Sequence, residues 1–153
     1  MESRKSINME KKMSKLPDAV HRSLLKPVYK RQEKEKVKEA FEKLGVNVLD
    51  VFKEFFETYQ GPFRSSNTGF ELVDLFDIDP NIISLTQICR EQYGFPKKFL
   101  VLTDLLGGGA IAYDTEKDYV FNIDFEGTEQ DLILGKLNPD WISFYDFLNY
   151  YFG

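Results

Sequence analysis

Apolar positions along the chain change their spacing several times, and each change marks an element. From about Lys30 to Leu44, Val37, Ala40, Phe41 and Leu44 recur at helical intervals, and Gly45 stands where a left-handed C-cap is needed. A second helix is predicted at once, with Asn47 as its cap. Val48, Leu49, Phe52, Phe55, Phe56 and Tyr59 lie on one stripe, and Gly61-Pro62 is the stop. After the turn-rich stretch Arg64 to Thr68, the segment Phe70 to Phe76 predicts a strand with Phe70 and Leu72 facing inward and Phe76 a further candidate. Asp79-Pro80 reads as the N-cap and first residue of a third helix, which Gly94 and Pro96 end. Its buried side is Ile82, Ile83, Leu85, Ile88, Cys89 and Tyr93.

The period then shortens to two. Phe99–Thr103, Ala110–Tyr113 and Tyr119–Ile123 predict three strands, the last two joined by the hairpin loop Asp114 to Asp118. A short strand is predicted at Leu132–Leu134 after the Glu126-Gly127 turn. A closing helix capped by Asp140 follows, with Trp141, Phe144, Tyr145, Leu148 and Tyr151 inward. The expected fold class is α+β: an antiparallel sheet of about four to six strands with N-terminal helices and a C-terminal helix packed on it. Residues 1–29 are expected to form a basic, partly mobile arm and 30–153 the folded domain.

Composition adds a large aromatic share, 14 Phe and 8 Tyr in 153 residues, so the core should be built on rings. Charge changes the picture more. The net −5 hides a split at Gly45: residues 1–44 hold 13 Lys/Arg against 7 Asp/Glu (+6), and 45–153 hold 7 against 18 (−11). An acidic body disfavours direct nucleic-acid binding and favours a basic partner. Cys89 is the only cysteine, which excludes an internal disulfide and a thiolate zinc site and fits a reducing compartment. With no signal-like segment at Met1–Lys12 and no long apolar run, a cytoplasmic protein is expected, with no membrane partner.

Candidate chemistry is sparse. His21, the only histidine, has no Ser, Cys or Asp arrangement near it in the sequence that suggests a triad. Cys89 reads as core packing. Gly107-Gly108-Gly109 lacks the Lys-Ser/Thr of a phosphate loop and reads as a hairpin or bulge where two backbones pass closely. Asp114-x-Glu116-x-Asp118 lacks the glycine and final glutamate of a calcium loop and reads as a hairpin tip. Asp124 and Glu126 form a carboxylate pair that a hydrolase or metal site could use, although an acidic chain produces such pairs without function. Trp141 reads as core cover rather than an interaction anchor. No catalytic set, cofactor or metal is expected.

Three stretches resemble the SUKH superfamily, which includes Smi/Knr-type cell-wall regulators and bacterial immunity proteins. These are Phe52-Lys53-Glu54-Phe55-Phe56-Glu57-Thr58-Tyr59-Gln60-Gly61, the glycine-containing pair Phe99–Tyr113 leading to Tyr119–Ile123, and Trp141-Ile142-Ser143-Phe144-Tyr145-Asp146-Phe147-Leu148. The resemblance covers about residues 35–152. The chain departs from the pattern at Val46-Asn47, where Leu-Pro is common, and at Gly107–Ala110, where a Gly-Asp-like step is common. What the resemblance implies is an immunity protein, or antitoxin, that neutralises a cognate toxin with a basic nuclease domain. The alternative is a Smi/Knr-like regulatory scaffold binding cellular proteins. Under the toxin reading the centre of the interface is expected to be a few aromatic anchors ringed by carboxylates, and the candidates exposed by their place on loops and strand ends are Asp74, Asp77, Asp104, Asp114, Glu116, Asp118, Asp124 and Glu126.

Overall fold

Phe52 lies flat on Tyr113, ring centroids 4.3 Å apart and 5° from parallel, and this contact of a helix with the central strand marks the middle of the core. The computed structural model describes residues 14–153. In chain order the elements are α1 (Asp18–Ser23), a 3-10 turn (Pro27–Tyr29), α2 (Glu35–Leu44), α3 (Asp50–Thr58), α4 (Ile82–Tyr93), β1 (Phe99–Val101), β2 (Gly109–Asp114), β3 (Val120–Asp124), α5 (Thr128–Ile133) and α6 (Phe144–Phe152). The strands form one antiparallel sheet in the order β1-β2-β3. The class is α+β, with three strands among the described residues rather than four to six.

Each missing strand has an identifiable cause in side-chain and backbone bonds. In Phe70–Phe76 only Leu72 pairs, exchanging both backbone bonds with Phe63. Val73 N then donates to Leu102 O, after which the Asp74 carboxylate turns the chain by accepting from the amides of Phe76 and Asp77. Leu132–Leu134 belongs to the end of a helix instead. The Asp124 carboxylate accepts from the amides of Glu126 and Thr128, which winds the chain into α5, so that Leu132 is buried and Leu134 exposed.

The starts of α4 and α6 differ from expectation because a nearer side chain caps better. α4 starts not at Asp79-Pro80 but at Asn81, which exchanges bonds of 3.0 Å with Ser84 in a reciprocal capping box. α6 is capped by Ser143, whose Oγ accepts from Asp146 N at 3.0 Å. Asp140 instead accepts from Asn122 N at 2.7 Å, on the edge of β3. The inner face of α6 is accordingly Phe144, Phe147, Leu148, Tyr151 and Phe152, and Tyr145 is exposed. α3 begins at Asp50 without a side-chain cap from Asn47. α2 ends at Gly45 with φ 72°, the left-handed cap its sequence predicts.

The sheet is covered on both faces, so β2 is buried at every position from Ala110 to Asp114. α3 and α6 meet on one side, where Phe144 is 4.7 Å from Phe52 and 5.3 Å from Tyr113 between ring centroids. α4 packs along β1, and Thr86 Oγ1 accepts from Val101 N at 2.9 Å. On the other edge Val120 and Trp141 exchange backbone bonds. Residues 14–29, placed with the arm by the sequence reading, include Leu16, Ala19, Val20 and Leu24 in the core, and α1 packs on α6. Residues 1–13 of the expected arm lie outside the described residues.

Candidate protein-binding groove

Loop Asp74–Pro80, helix α4 and loop Asp104–Leu106 enclose an open hollow of about 530 Å³. Its floor and walls are apolar: Val73, Ile78, Leu85, Ile88, Leu105 and Leu106. Three of these are displayed to solvent, Leu106 at 93%, Ile78 at 64% and Ile88 at 36% exposure. Periodicity places Ile88 on the buried side of its helix. The helix turns that position out of the packed stripe, where it forms a groove wall. A second hollow of about 450 Å³, floored by Gly107, Gly109 and Ala110, adjoins the first, and Glu71 and Asp104 border both.

Both displayed tips are held by aspartates bonding to backbone. Asp104 Oδ1 accepts from Leu106 N at 3.1 Å, which orders the loop that presents Leu106. Asp74 Oδ2 accepts from Asp77 N at 3.0 Å, beside Ile78. Ile78 has φ 52°, a left-handed conformation that strains a β-branched residue. Behind the wall Asp74 is locked to Arg31 by two bonds of 2.8 and 3.1 Å, and it also accepts from Gly61 N at 2.8 Å. Arg31 donates further to Phe56 O at 2.7 Å, and its guanidinium lies over the Phe76 ring.

The structure sorts the sequence-selected carboxylates into three places. Asp74, Asp77 and Asp104 all line the groove, but Asp74 is buried and its charge is consumed by Arg31, which corrects its expected exposure. Asp77 and Asp104 are exposed and form no ion pair among the described residues. Asp114, Glu116 and Asp118 sit at the hairpin, at the other end of β2. There Asp114 is buried too, accepting from the amides of Glu116 and Lys117 with Lys98 3.6 Å away. Asp118, at φ 67°, accepts from Tyr113 OH at 2.6 Å and from Phe144 N at 3.2 Å, so its carboxylate clamps α6 to the sheet. Asp124 is exposed but serves the turn into α5, whose amides hold its carboxyl below the usual range. Glu116 and Glu126 are exposed.

Several residues were missed because their partners are distant in sequence. Arg31 gave no signal. Its pairing with Asp74 joins the segment before α2 to the groove. His21 does find a serine: its Nε2 meets Ser14 Oγ at 2.9 Å, its Nδ1 meets Tyr59 OH at 2.5 Å, and Ser14 donates to Glu54 Oε2 at 2.7 Å. With its proton on Glu54, the serine oxygen accepts from the imidazole, the reverse of what a nucleophile and its base require. The four side chains tie α1 to α3. The glycine run acts as the sequence suggests: a Cβ at Gly109 would stand 2.7 Å from Ile123 O, and Phe125 N donates to Gly108 O.

Among the described residues, no three or more His, Cys, Asp or Glu side chains gather to hold a metal ion, and no helix is long and apolar enough to cross a membrane. Comparisons with protein-family models and with curated protein sequences find no match for the chain.

Proposed function

We propose that this chain is a protein-binding module of the immunity type, which captures a basic partner and neutralises it by occupying the surface that partner uses. The observation that carries the reading is the groove: exposed Ile78, Ile88 and Leu106 beside Asp77 and Asp104, carboxylates with no ion pair among the described residues, on a folded unit, 14–153, that holds 16 Lys/Arg against 23 Asp/Glu. Apolar side chains displayed together mark interaction surfaces, and carboxylates around them steer a cationic partner and select against acidic ones.

The resemblance to SUKH immunity proteins makes the partner a toxin, most simply one with a nuclease domain, whose phosphate-binding surface is basic. A carboxylate-edged inhibitor opposes that surface and competes with the nucleic acid for it. Of the Asp124 and Glu126 pair, the Asp124 carboxylate accepts from two amides of the turn it caps, a structural use that needs no catalytic one.

The test is calorimetric titration of the chain against toxin domains encoded beside it, with nuclease activity followed in parallel. Tight binding that weakens as salt rises, together with loss of nuclease activity, is the expected outcome. Binding to cellular proteins with no effect on any such toxin would replace this reading with the scaffold alternative.

A further inference from the structure

Resting on the protein-binding reading, we propose that the groove between loop Asp74–Pro80, α4 and loop Asp104–Leu106 receives a short cationic segment of the partner, seating its bulky apolar side chains between Ile78 and Leu106. Asp77 and Asp104 then accept the lysines or arginines that flank them.

The chemistry of the groove selects this occupant. Its lining holds eight apolar side chains, Pro62 and Pro80 among them, and the charged groups there are all carboxylates: among the described residues neither hollow is lined by a lysine or arginine. Two of the lining carboxylates already hold a cation, Asp74 with Arg31 and Glu71 with Arg64 at 2.9 Å. Among the described residues two lining carboxylates, Asp77 and Asp104, remain to be matched, one on the loop of each displayed apolar tip. An acidic segment would be repelled there, and a purely apolar one would leave Asp77 and Asp104 facing low-dielectric surface unpaired. A second copy of the chain would bring a like-charged groove against this one, which opposes self-association through the same face.

The presentation is also built in advance. Leu106 is 93% exposed on a loop fixed by its own Asp104, and Ile78 is held outward by a turn anchored on the buried Arg31–Asp74 pair. Anchors fixed before association lose little entropy when they dock, so exposed aliphatic residues here can act as hot spots.

The probe is a synthetic acetylated peptide Gly-Lys-Leu-Arg-Leu-Lys-Gly, titrated into the full-length 15N-labelled chain with amide shifts as readout. Two control peptides carry Ser for both Leu, or Glu for each basic residue. Saturating shifts confined to Asp77–Leu85, Ile88 and Asp104–Leu106, absent with both controls, are expected. Ile78→Asn, which suits a left-handed backbone, and Leu106→Ser should each weaken binding about tenfold, and Glu116→Gln at the far hairpin should leave it unchanged. Shifts centred on the hairpin, or equal binding of the serine control, overturn the proposal. So does a change in the groove amides when Lys11 and Lys12 are replaced by serine without peptide, which would make the chain's own amino-terminal segment the occupant. If a toxin binds Ile78→Asn and Leu106→Ser as tightly as the parent, docking in the groove fails and the protein-binding reading stands. If the peptide seats as described but no toxin or other basic protein binds, the reading of function fails instead.

Discussion

Arg31 and Asp74 face each other as a two-pronged ion pair, Nη2 to Oδ1 at 2.8 Å and Nη1 to Oδ2 at 3.1 Å, with each side chain 1% exposed. Between them they join the segment before α2, the Phe56 carbonyl, the Gly61 amide and the loop that carries Ile78. Charges removed from water are tolerated only where partners replace the lost hydration, and here each has several.

The two partners should not be equally costly to lose. Arg31→Met leaves Asp74 with three amide donors, so a cost near about 3 kcal/mol is expected, at the low end for a broken buried pair. Asp74→Ala leaves the guanidinium buried with only the Phe56 carbonyl and frees the amides of Gly61, Phe76 and Asp77. A cost of about 5 kcal/mol is expected. Urea unfolding of both variants checks the order, and equal costs would show that the amide bonds to Asp74 contribute nothing.

A smaller test concerns the last helix, where two residues compete for the role of cap. Ser143→Ala should cost about 1 kcal/mol, because Ser143 Oγ holds the Asp146 amide. Asp140→Ala removes a bond to Asn122 N on an exposed edge instead, and should cost less. Comparing the two midpoints, with helicity at Phe144–Phe152 read from amide exchange, distinguishes a cap from an edge contact.

Elements governed by their own residues were legible in the sequence. α2 and its Gly45 cap, the three strands of the meander and the hairpin at Asp114–Asp118 follow from periodicity and turn chemistry within a few residues. What failed depended on partners elsewhere. Phe70–Phe76 has the alternation of a strand, but Asp74 is recruited by Arg31, 43 positions away, and turns the chain. Leu132–Leu134 has strand composition, yet the Asp124 carboxylate had already started a helix. The groove was half visible: Asp77 and Asp104 could be chosen as loop carboxylates, while in the apolar half Ile88 reads in sequence as helix core and Ile78 and Leu106 fall between predicted elements with no signal of their own. Only the three-dimensional placement separates a leucine that packs from one that is displayed.

Carboxylates at the groove should act on association, and those at the hairpin on stability. Asp77→Asn and Asp104→Asn each remove an exposed charge beside the docking surface, so the association rate with a basic partner should fall about two- to fivefold at low salt and converge on the parent at high salt. Asp118→Asn weakens the clamp on Tyr113 OH and Phe144 N. It should lower the unfolding midpoint by the equivalent of about 1–2 kcal/mol and leave the association rate unchanged. Stopped-flow association and urea unfolding on the same three proteins separate the effects. A large rate effect from Asp118→Asn would place the interface at the hairpin instead.

Alkaline pH should unfold the domain through its buried thiol and phenols. Burial pushes the Cys89 thiol from 9.0 up to about 11. Burial likewise raises Tyr151 from 10.0 to about 12, and burial together with the bond to Asp118 drives Tyr113 further upward. As pH rises through the unfolded thiol's value, the unfolded chain gives up a proton that the folded chain keeps. The unfolded state then binds fewer protons, and stability must fall with pH. Cys89 alone should remove about 3 kcal/mol between its unfolded and folded values, with the tyrosines steepening the loss above pH 10. Urea midpoints should therefore be flat up to about pH 8 and decline beyond it, and Cys89→Ala should remove the earlier part of the decline while leaving the tyrosine part in place. A midpoint that holds constant to about pH 10.5 would show that these side chains reach solvent in the folded protein, contradicting the packing of α4 and α6 on the sheet.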